Sequence, residues 1–521
     1  MVVKKQVLII GGGLAGLAAA VALASEEIQV ELLERKPFLG GRASSYPTPA
    51  VGRPLLSAHG RDVDSAPWRD RQGHPRLPSE ESPSLVVEEE YIDNCQHVLL
   101  KCCTNLIDFY DRLGVRQGIT FSDRVAFLDE QGRLATLGGS PLPAPFHLLP
   151  SLLRFTVLGW KDKLAIAYAF FCLLIDRHQV EELDQVTMLH WLEQHRQTPR
   201  AIEVFWRTFL VSALNEQIEV ASARYGLQVF LQGMLKHSEA FHIGVPTVPL
   251  SKLYTEPCLR FLSERGSTVK LRSAVARIEV EESRIRHITL SDGTKLAADY
   301  YLSSVPPHVL VRLLPDEVVE RYDYFAKLRH LDATPITAVY LWFDRPITDL
   351  DYAALVGREI QWVFNKGADF AAGRRGNNQC LGLVVSASHK LLPLGRREII
   401  DIALRDLGDV LPSARKAELT KSVVIKEPFA TFSCRAGCDE FRPDQRSPLE
   451  NFFVAGDWTR TGWPGTMESA VRSGYRSAEL ILEAEGAARP VVQPDMPTQG
   501  LVRGLSWFFR FWSASSHPRE T

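Results

Sequence analysis

The stretch QVLIIGGGLAGLAAAVALASEEIQVELLE, residues 6–34, decides the fold. QVLII reads as a short buried strand, the glycines after it as a tight turn, and LAGLAAAVALA as a strong helix former. IQVELLE, residues 28–34, is nearly continuous in apolar residues and reads as a second strand. Strand, glycine turn, helix and strand within about 30 residues make a βαβ unit, which implies a parallel sheet. Gly11, Gly13 and Gly16 take the spacing G-x-G-x-x-G directly after the first strand. The first glycine allows the turn, the second lets backbone approach a pyrophosphate, and the third lets helix and strand pack closely. The helix start, with Leu14 and Ala15, offers unpaired N–H groups and a positive dipole to phosphates. Glu34, with Arg35 beside it, ends the second strand, where an acid binds ribose hydroxyls and disfavours a 2′-phosphate.

Two features further along the chain favour FAD over NAD. Gly40-Gly41-Arg42 follows the second strand and gives compact backbone plus a guanidinium as counter-charge. Read in isolation, it would be no more than a tight loop with a solvated arginine. More than 400 residues later, Val454-Ala455-Gly456-Asp457 puts an acid after a strand and just ahead of a helix that opens near Thr466 and Met467. Asp457 can hold a ribityl hydroxyl there, and the helix N-terminus faces a flavin ring edge. A turn-capping aspartate is the plainer alternative.

Between these ends the pattern changes several times. Residues 47–85, rich in Pro, Arg, Ser and Gly, read as a solvated loop or insertion. Apolar positions from Gln96 to Leu113 recur at helical spacing, and helical patterns dominate from about 146 to 240. Residues 268–301 switch to short strands with a hairpin signal at Ser291-Asp292-Gly293. Residues 335–343, 380–387 and 451–457 read as further strands, and an amphipathic helix begins at Met467. The tail from about 487 is Pro-rich and then mixes aromatic and basic residues between Leu501 and Trp512. The boundaries expected are 1–100, 241–310 and 431–486 for the dinucleotide segments, 101–240 and 311–430 for a substrate domain, and 487–521 for the tail.

The 521 residues carry 60 Lys+Arg against 62 Asp+Glu, a net charge of −2, with 45% hydrophobic and 23% charged residues. That composition fits a folded chain of more than one domain and gives no global attraction to nucleic acid. Eight cysteines are too few for a disulfide scaffold, and Cys434 and Cys438 lack a partner pair at zinc-site distance, so no metal is expected. The longest uncharged apolar block, Leu164–Ile175, is shorter than the roughly 18 residues that span a bilayer. The expectation is a cytoplasmic protein with peripheral contact to the inner membrane, made by the aromatic-basic tail. A tail packed on its own protein is the competing reading.

GGGLAGLAAA, Glu34, GGRASS and VAGDWTRTGWPGTMESAVRSGYRSA together resemble the FAD-dependent amine oxidase and carotenoid desaturase superfamily. Within it, IDNCQHVLLKCCTNLIDFYDRLG, FWRTFLVSALNEQIEVASARYGLQVFL and FHIGVPTVPLSKL are similar to hydroxysqualene dehydroxylases. The resemblance covers most of residues 6–485. It implies an α/β protein: a Rossmann-like FAD-binding domain of discontinuous segments with an inserted α+β substrate domain. It also implies that Val275 touches adenine through backbone. Cys95 stands where the family usually has glycine.

The same resemblance implies reductive removal of the hydroxyl of hydroxysqualene, giving squalene for hopanoid-type triterpenoids, with FAD as cofactor. Candidate acids are Asp93 and His97, in the segment nearest the expected flavin entrance. A turn aspartate and a satisfied core histidine are the commoner reading of both. Alternatives are a desaturase or isomerase of carotenoid-like polyenes and a non-catalytic FAD-binding scaffold, with an amine oxidase further behind. No second glycine-rich βαβ unit appears for NAD(P)H, so the electron donor is unknown and is expected to be a separate partner.

Overall fold

The computed structural model describes residues 5–26, 28–47, 91–176, 180–366 and 378–503. Most of the loop expected at 47–85 and the aromatic stretch 505–512 lie outside the described residues. The α/β architecture is as expected. A five-stranded parallel sheet runs in the order Thr268–Lys270, Gln29–Leu33, Gln6–Ile10, Tyr300–Ser303, Phe452–Val454. Ile10 is level with both Leu33 and Ser303, and Ser303 with Val454, so the carboxyl ends of four strands share one edge. In open α/β sheets that edge is where ligands bind.

Alanines make the first helix, Leu14–Ser25, thin enough to be buried on every side but its last turn. The helix Met467–Ala484 crosses it so closely that a Cβ at Gly474 would stand 2.2 Å from the Ala15 carbonyl oxygen. A three-stranded antiparallel sheet, Val275–Glu281, Arg284–Leu290 and Lys295–Leu296, flanks this half.

The inserted half has a seven-stranded mixed sheet in the order 419–432, 333–343, 379–386, 362–365, 352–355, 124–128, 134–138. A block of helical turns from Leu149 to Leu235 packs beside it. Phe170, Phe205, Trp206, Phe209 and Phe230 interlock there, mostly edge-to-face, at ring separations of 4.6–6.3 Å.

One finding corrects the sequence reading. Residues 96–113 are not one helix: Leu99–Leu100 pairs as a strand with Ile243 and Gly244, and the helix begins at Thr104. Exposed strand edges nearby capture the segment that periodicity alone assigns to a helix. That helix, Thr104–Arg112, shares its core with the first helix through Leu106, Phe109 and Tyr110. The Pro-rich segment after 487 packs on the rest of the chain. Arg489 pairs with Glu26, Val491 is buried, Arg472 pairs with Asp495, and the Gln499 N–H donates to the Lys236 carbonyl.

Candidate functional site

At the carboxyl edge of the parallel sheet the glycine turn is drawn tight. A Cβ at Gly16 would lie 2.2 Å from the Gly11 carbonyl oxygen, so no other residue fits without moving backbone. Glu34 is buried and accepts from the Gly12 N–H and the Lys36 N–H, both at 2.7 Å. Its carboxylate is thereby fixed beside the turn, where the sequence places a ribose ligand. Arg35 points to solvent. Gly40 and Gly41 both have positive φ, and the Gly40 N–H donates to the Gly12 carbonyl at 2.8 Å, closing a second loop over the first. Residues 272–273 run beside Glu34, bonded through the Arg272 N–H to the Lys36 carbonyl and the Ser273 N–H to the Glu34 carbonyl. Val275 opens the next strand, half-buried.

Arg42 pairs with Asp457, which lies 415 residues away in sequence, and also donates to the Ala430 carbonyl at 3.1 Å. The loop carrying Asp457 is braced from below. Arg442, fully buried, donates to the Asp457 carbonyl at 3.1 Å and to the Thr459 carbonyl, and its other amino group reaches the Tyr225 hydroxyl. Thr466 caps the helix that Met467 opens, accepting from the Ser469 N–H at 3.2 Å, while the Ser469 hydroxyl donates to the Asp457 carbonyl at 3.1 Å. A helix N-terminus and a fixed acid therefore converge beside Arg42. Asp439, Asp184 and Cys438 come together below this loop. Their carboxylates are already engaged, Asp439 with Arg224 and Tyr225 and Asp184 with the Ser222 hydroxyl.

Asp93 and His97 lie on the strand and turn that cover this edge. Asp93 is buried, with Oδ1 accepting from the Ser45 hydroxyl at 2.6 Å and the Leu250 N–H at 3.1 Å. Its Oδ2 lies 3.9 Å from the ammonium of Lys366, which is itself buried and also bonded to Gln96. Burial pushes the Asp93 carboxyl upward against the pull of Lys366, and burial pushes the Lys366 ammonium downward against the pull of Asp93. The two groups can thus share one proton without changing net charge. His97 meets Asn94 Oδ1 at 2.9 Å, and desolvation, helped by Lys366, lowers its imidazole to about 4. Asn94 also donates to the Arg42 carbonyl, which links this cluster to the Arg42–Asp457 pair. Cys95 is buried and has no left-handed backbone, so the absence of glycine there carries no strain.

Residues 14–482 match the family described as flavin containing amine oxidoreductase. The chain belongs to that family. Membership of the flavin containing amine oxidoreductases makes FAD the cofactor. Gly11, Gly13, Leu14, Ala15 and Gly16 follow the strand end at Ile10, Glu34 the one at Leu33, and Gly456 and Asp457 the one at Val454, all at one edge of the sheet, while Thr466 and Met467 open the last helix. Among relatives, a probable zeta-carotene desaturase of Synechococcus elongatus is 26% identical, the match covering 93% of this chain and all of that protein. A 15-cis-phytoene desaturase of Solanum lycopersicum is also 26% identical, over 92% of this chain and 78% of its own length. Neither name is that of a hydroxysqualene dehydroxylase.

Solved structures confirm the fold. An oxidoreductase from Methanosarcina mazei superposes with a TM-score of 0.65 at 16% identity, covering 92% of this chain and all of that one. Cyclohexylamine oxidase from Brevibacterium oxydans superposes at 0.62, with 16% identity, covering 93% of this chain and all of its own. Sequence reasoning missed Lys366, Arg442 and Asn94. No motif surrounds Lys366 or Arg442, and each of the three takes its meaning from a partner distant in the chain: Asp93 for Lys366, Tyr225 for Arg442 and Arg42 for Asn94. Among the described residues no helix is long and apolar enough to cross a membrane.

Proposed function

We propose that the protein is an FAD-dependent oxidoreductase of a long apolar isoprenoid, acting on a carotenoid-like polyene as a desaturase or isomerase. The observation that carries this reading is the end-to-end likeness to proteins named as carotene desaturases. The interlocked aromatic cluster of the helical block supports it, because a hydrocarbon gains most from such walls. Bound FAD supplies the two-electron chemistry, accepting a hydride from carbon when oxidised and delivering one when reduced. The chain's own residues do the rest. The glycine turn and Glu34 hold the dinucleotide, Asp457 and the Thr466-capped helix fix its far end, and the Asp93–Lys366 pair with His97 holds or accepts a proton.

Reductive dehydroxylation of hydroxysqualene to squalene is the second reading. The segment wording described above favours it, and so does the buried proton-sharing pair. Loss of hydroxide as water needs a proton at the departing oxygen, and hydride from reduced FAD then completes the new C–H bond. Electrons in this direction come from a separate donor.

The test uses purified holoprotein without oxygen. Oxidised protein is given phytoene or zeta-carotene, and chemically reduced protein is given hydroxysqualene. A desaturated or isomerised polyene supports the first reading. Squalene formed with reoxidation of the flavin replaces it with the second. A flavin that couples to none of the three overturns both and leaves a binding scaffold.

A further inference from the structure

Fourteen large hydrophobic side chains stand exposed among the described residues, and nine of them fall between Leu142 and Ile175. Five belong to one helix, Trp160–Asp176. Trp160, Leu164, Tyr168, Phe171 and Ile175 follow each other at three- and four-residue steps, which puts them on one face. Leu164 is 68% exposed, Trp160 65% and Phe171 60%. The opposite face of the same helix, with Ile166, Ala169 and Leu173, is buried in the core. A surface helix ordinarily turns charge outward. This one turns hydrocarbon both ways, and Phe146, Leu149 and Leu153 extend the apolar surface along the preceding turns.

The rim of this surface has a sign. Arg154 and Lys161 are exposed beside it. The only acid between residues 142 and 175 is Asp162, and it is occupied by the Gly159 N–H at 2.8 Å and the Thr198 hydroxyl. The Lys163 ammonium donates to the Leu153 carbonyl at 2.7 Å and lies 5.2 Å from the Trp160 ring. A local excess of basic charge thus stands on a chain whose net charge is −2. A second copy of the chain meeting this face about a two-fold axis would set Arg154 and Lys161 against themselves. An anionic lipid surface reverses that sign. Aromatic and aliphatic side chains bordered by Lys and Arg are the composition that settles at a bilayer interface.

The chain's end leads to the same place. The Leu501 N–H donates to the Ala144 carbonyl at 3.3 Å, and Leu501 is itself exposed. The sequence that follows is SWFFRFW, residues 506–512.

We propose that the outward face of helix Trp160–Asp176, with Leu149 and Leu153, docks on an anionic lipid bilayer. Its apolar stripe enters the acyl boundary, while Arg154 and Lys161 meet the headgroups. This inference goes beyond the catalytic reading and does not depend on which isoprenoid is turned over.

The experiment is co-sedimentation of the full-length, flavin-loaded protein with vesicles of phosphatidylglycerol and phosphatidylcholine. The variants are Leu164→Ser with Phe171→Ser, and Lys161→Glu. The serine pair is expected to weaken binding by at least about tenfold, since two large apolar side chains leave the lipid. Lys161→Glu is expected to weaken it several-fold, and only at low salt. Flavin content and thermal midpoint should not move in either variant, because the substituted side chains are exposed. Wild-type protein that stays in the supernatant overturns the proposal. So does a serine pair that sediments as well as wild type, or a wild-type dimer that the serine pair dissociates.

Discussion

Asp93 and Lys366 stand 3.9 Å apart with almost no surface between them and solvent. Removing one partner strands the other in a dry site, which costs about 3–5 kcal/mol for a buried pair, whereas removing both costs far less. Lys366→Met should therefore lower the thermal midpoint more than the Asp93→Asn, Lys366→Met double variant does. Denaturant unfolding of the four proteins in the cycle checks it, and additive losses would show that the two groups do not interact. His147 offers a second residue-scale test. It is buried, neither ring nitrogen has a hydrogen-bond partner among the described residues, and burial together with His237 and His242 holds it down at about 4. A base held below its ordinary 6.5 binds its proton more readily when unfolded. Its contribution to stability is complete above 6.5 and is lost as pH falls toward about 4, at about 1.4 kcal/mol per pH unit. His147→Phe should remove that part of the slope in unfolding measured from pH 7 to pH 4, and should fold normally because no hydrogen bond is lost.

The helix Met467–Ala484 packs on the first helix and, in the function proposed above, also faces the cofactor. Thr466→Ala removes its cap, costing about 1 kcal/mol, and frees the Ser469 N–H. Flavin should be retained less tightly, measured as the fraction of FAD lost on dilution and filtration. The start of this helix was legible in the sequence because Thr466 precedes an apolar period of 3.6, just as the glycine turn was legible from its spacing and its flanking strands. These signals are local. The start of the helix at Thr104 was not legible. Its N-terminal N–H groups, on Asn105 and Leu106, are satisfied by the carboxylate of Glu468, more than 360 residues away. Glu468 is buried, and burial raises its carboxyl against the pull of Arg472. In the same way Asp457 could be read as a site residue from the strand and glycine before it. Its bond to Arg42, and the grip of Arg442 from beneath, belong to tertiary structure alone. Asp93 and His97 could be singled out by chemistry, but Lys366, the partner that shapes Asp93, could not.

At the scale of the whole molecule, the halves are tied by a segment that composition alone marks as a Pro-rich tail. Residues 489–501 touch Glu26, Asn105 and Arg472 on the cofactor side and Lys236 and Ala144 on the substrate side. A chain stopped after residue 503 should keep the wild-type thermal midpoint and flavin content. One stopped after 490 loses Val491, Gln493 and Asp495 from their contacts and should melt several degrees lower; a destabilisation of 1 kcal/mol moves a large domain by about 2–4 °C. Equal midpoints for the two would show that this strap carries no load.

The parallel sheet also dictates an order of events in the cell. Its neighbouring strands come from residues 6–10, 300–303 and 452–454, and its first helix is closed by residues 467–484. The alanine-rich opening segment must leave the ribosome long before the pieces that shelter it exist. A chain stopped before residue 452 lacks the last strand of the sheet and the helix that closes it, and should come out colourless and not merely a weakened yellow.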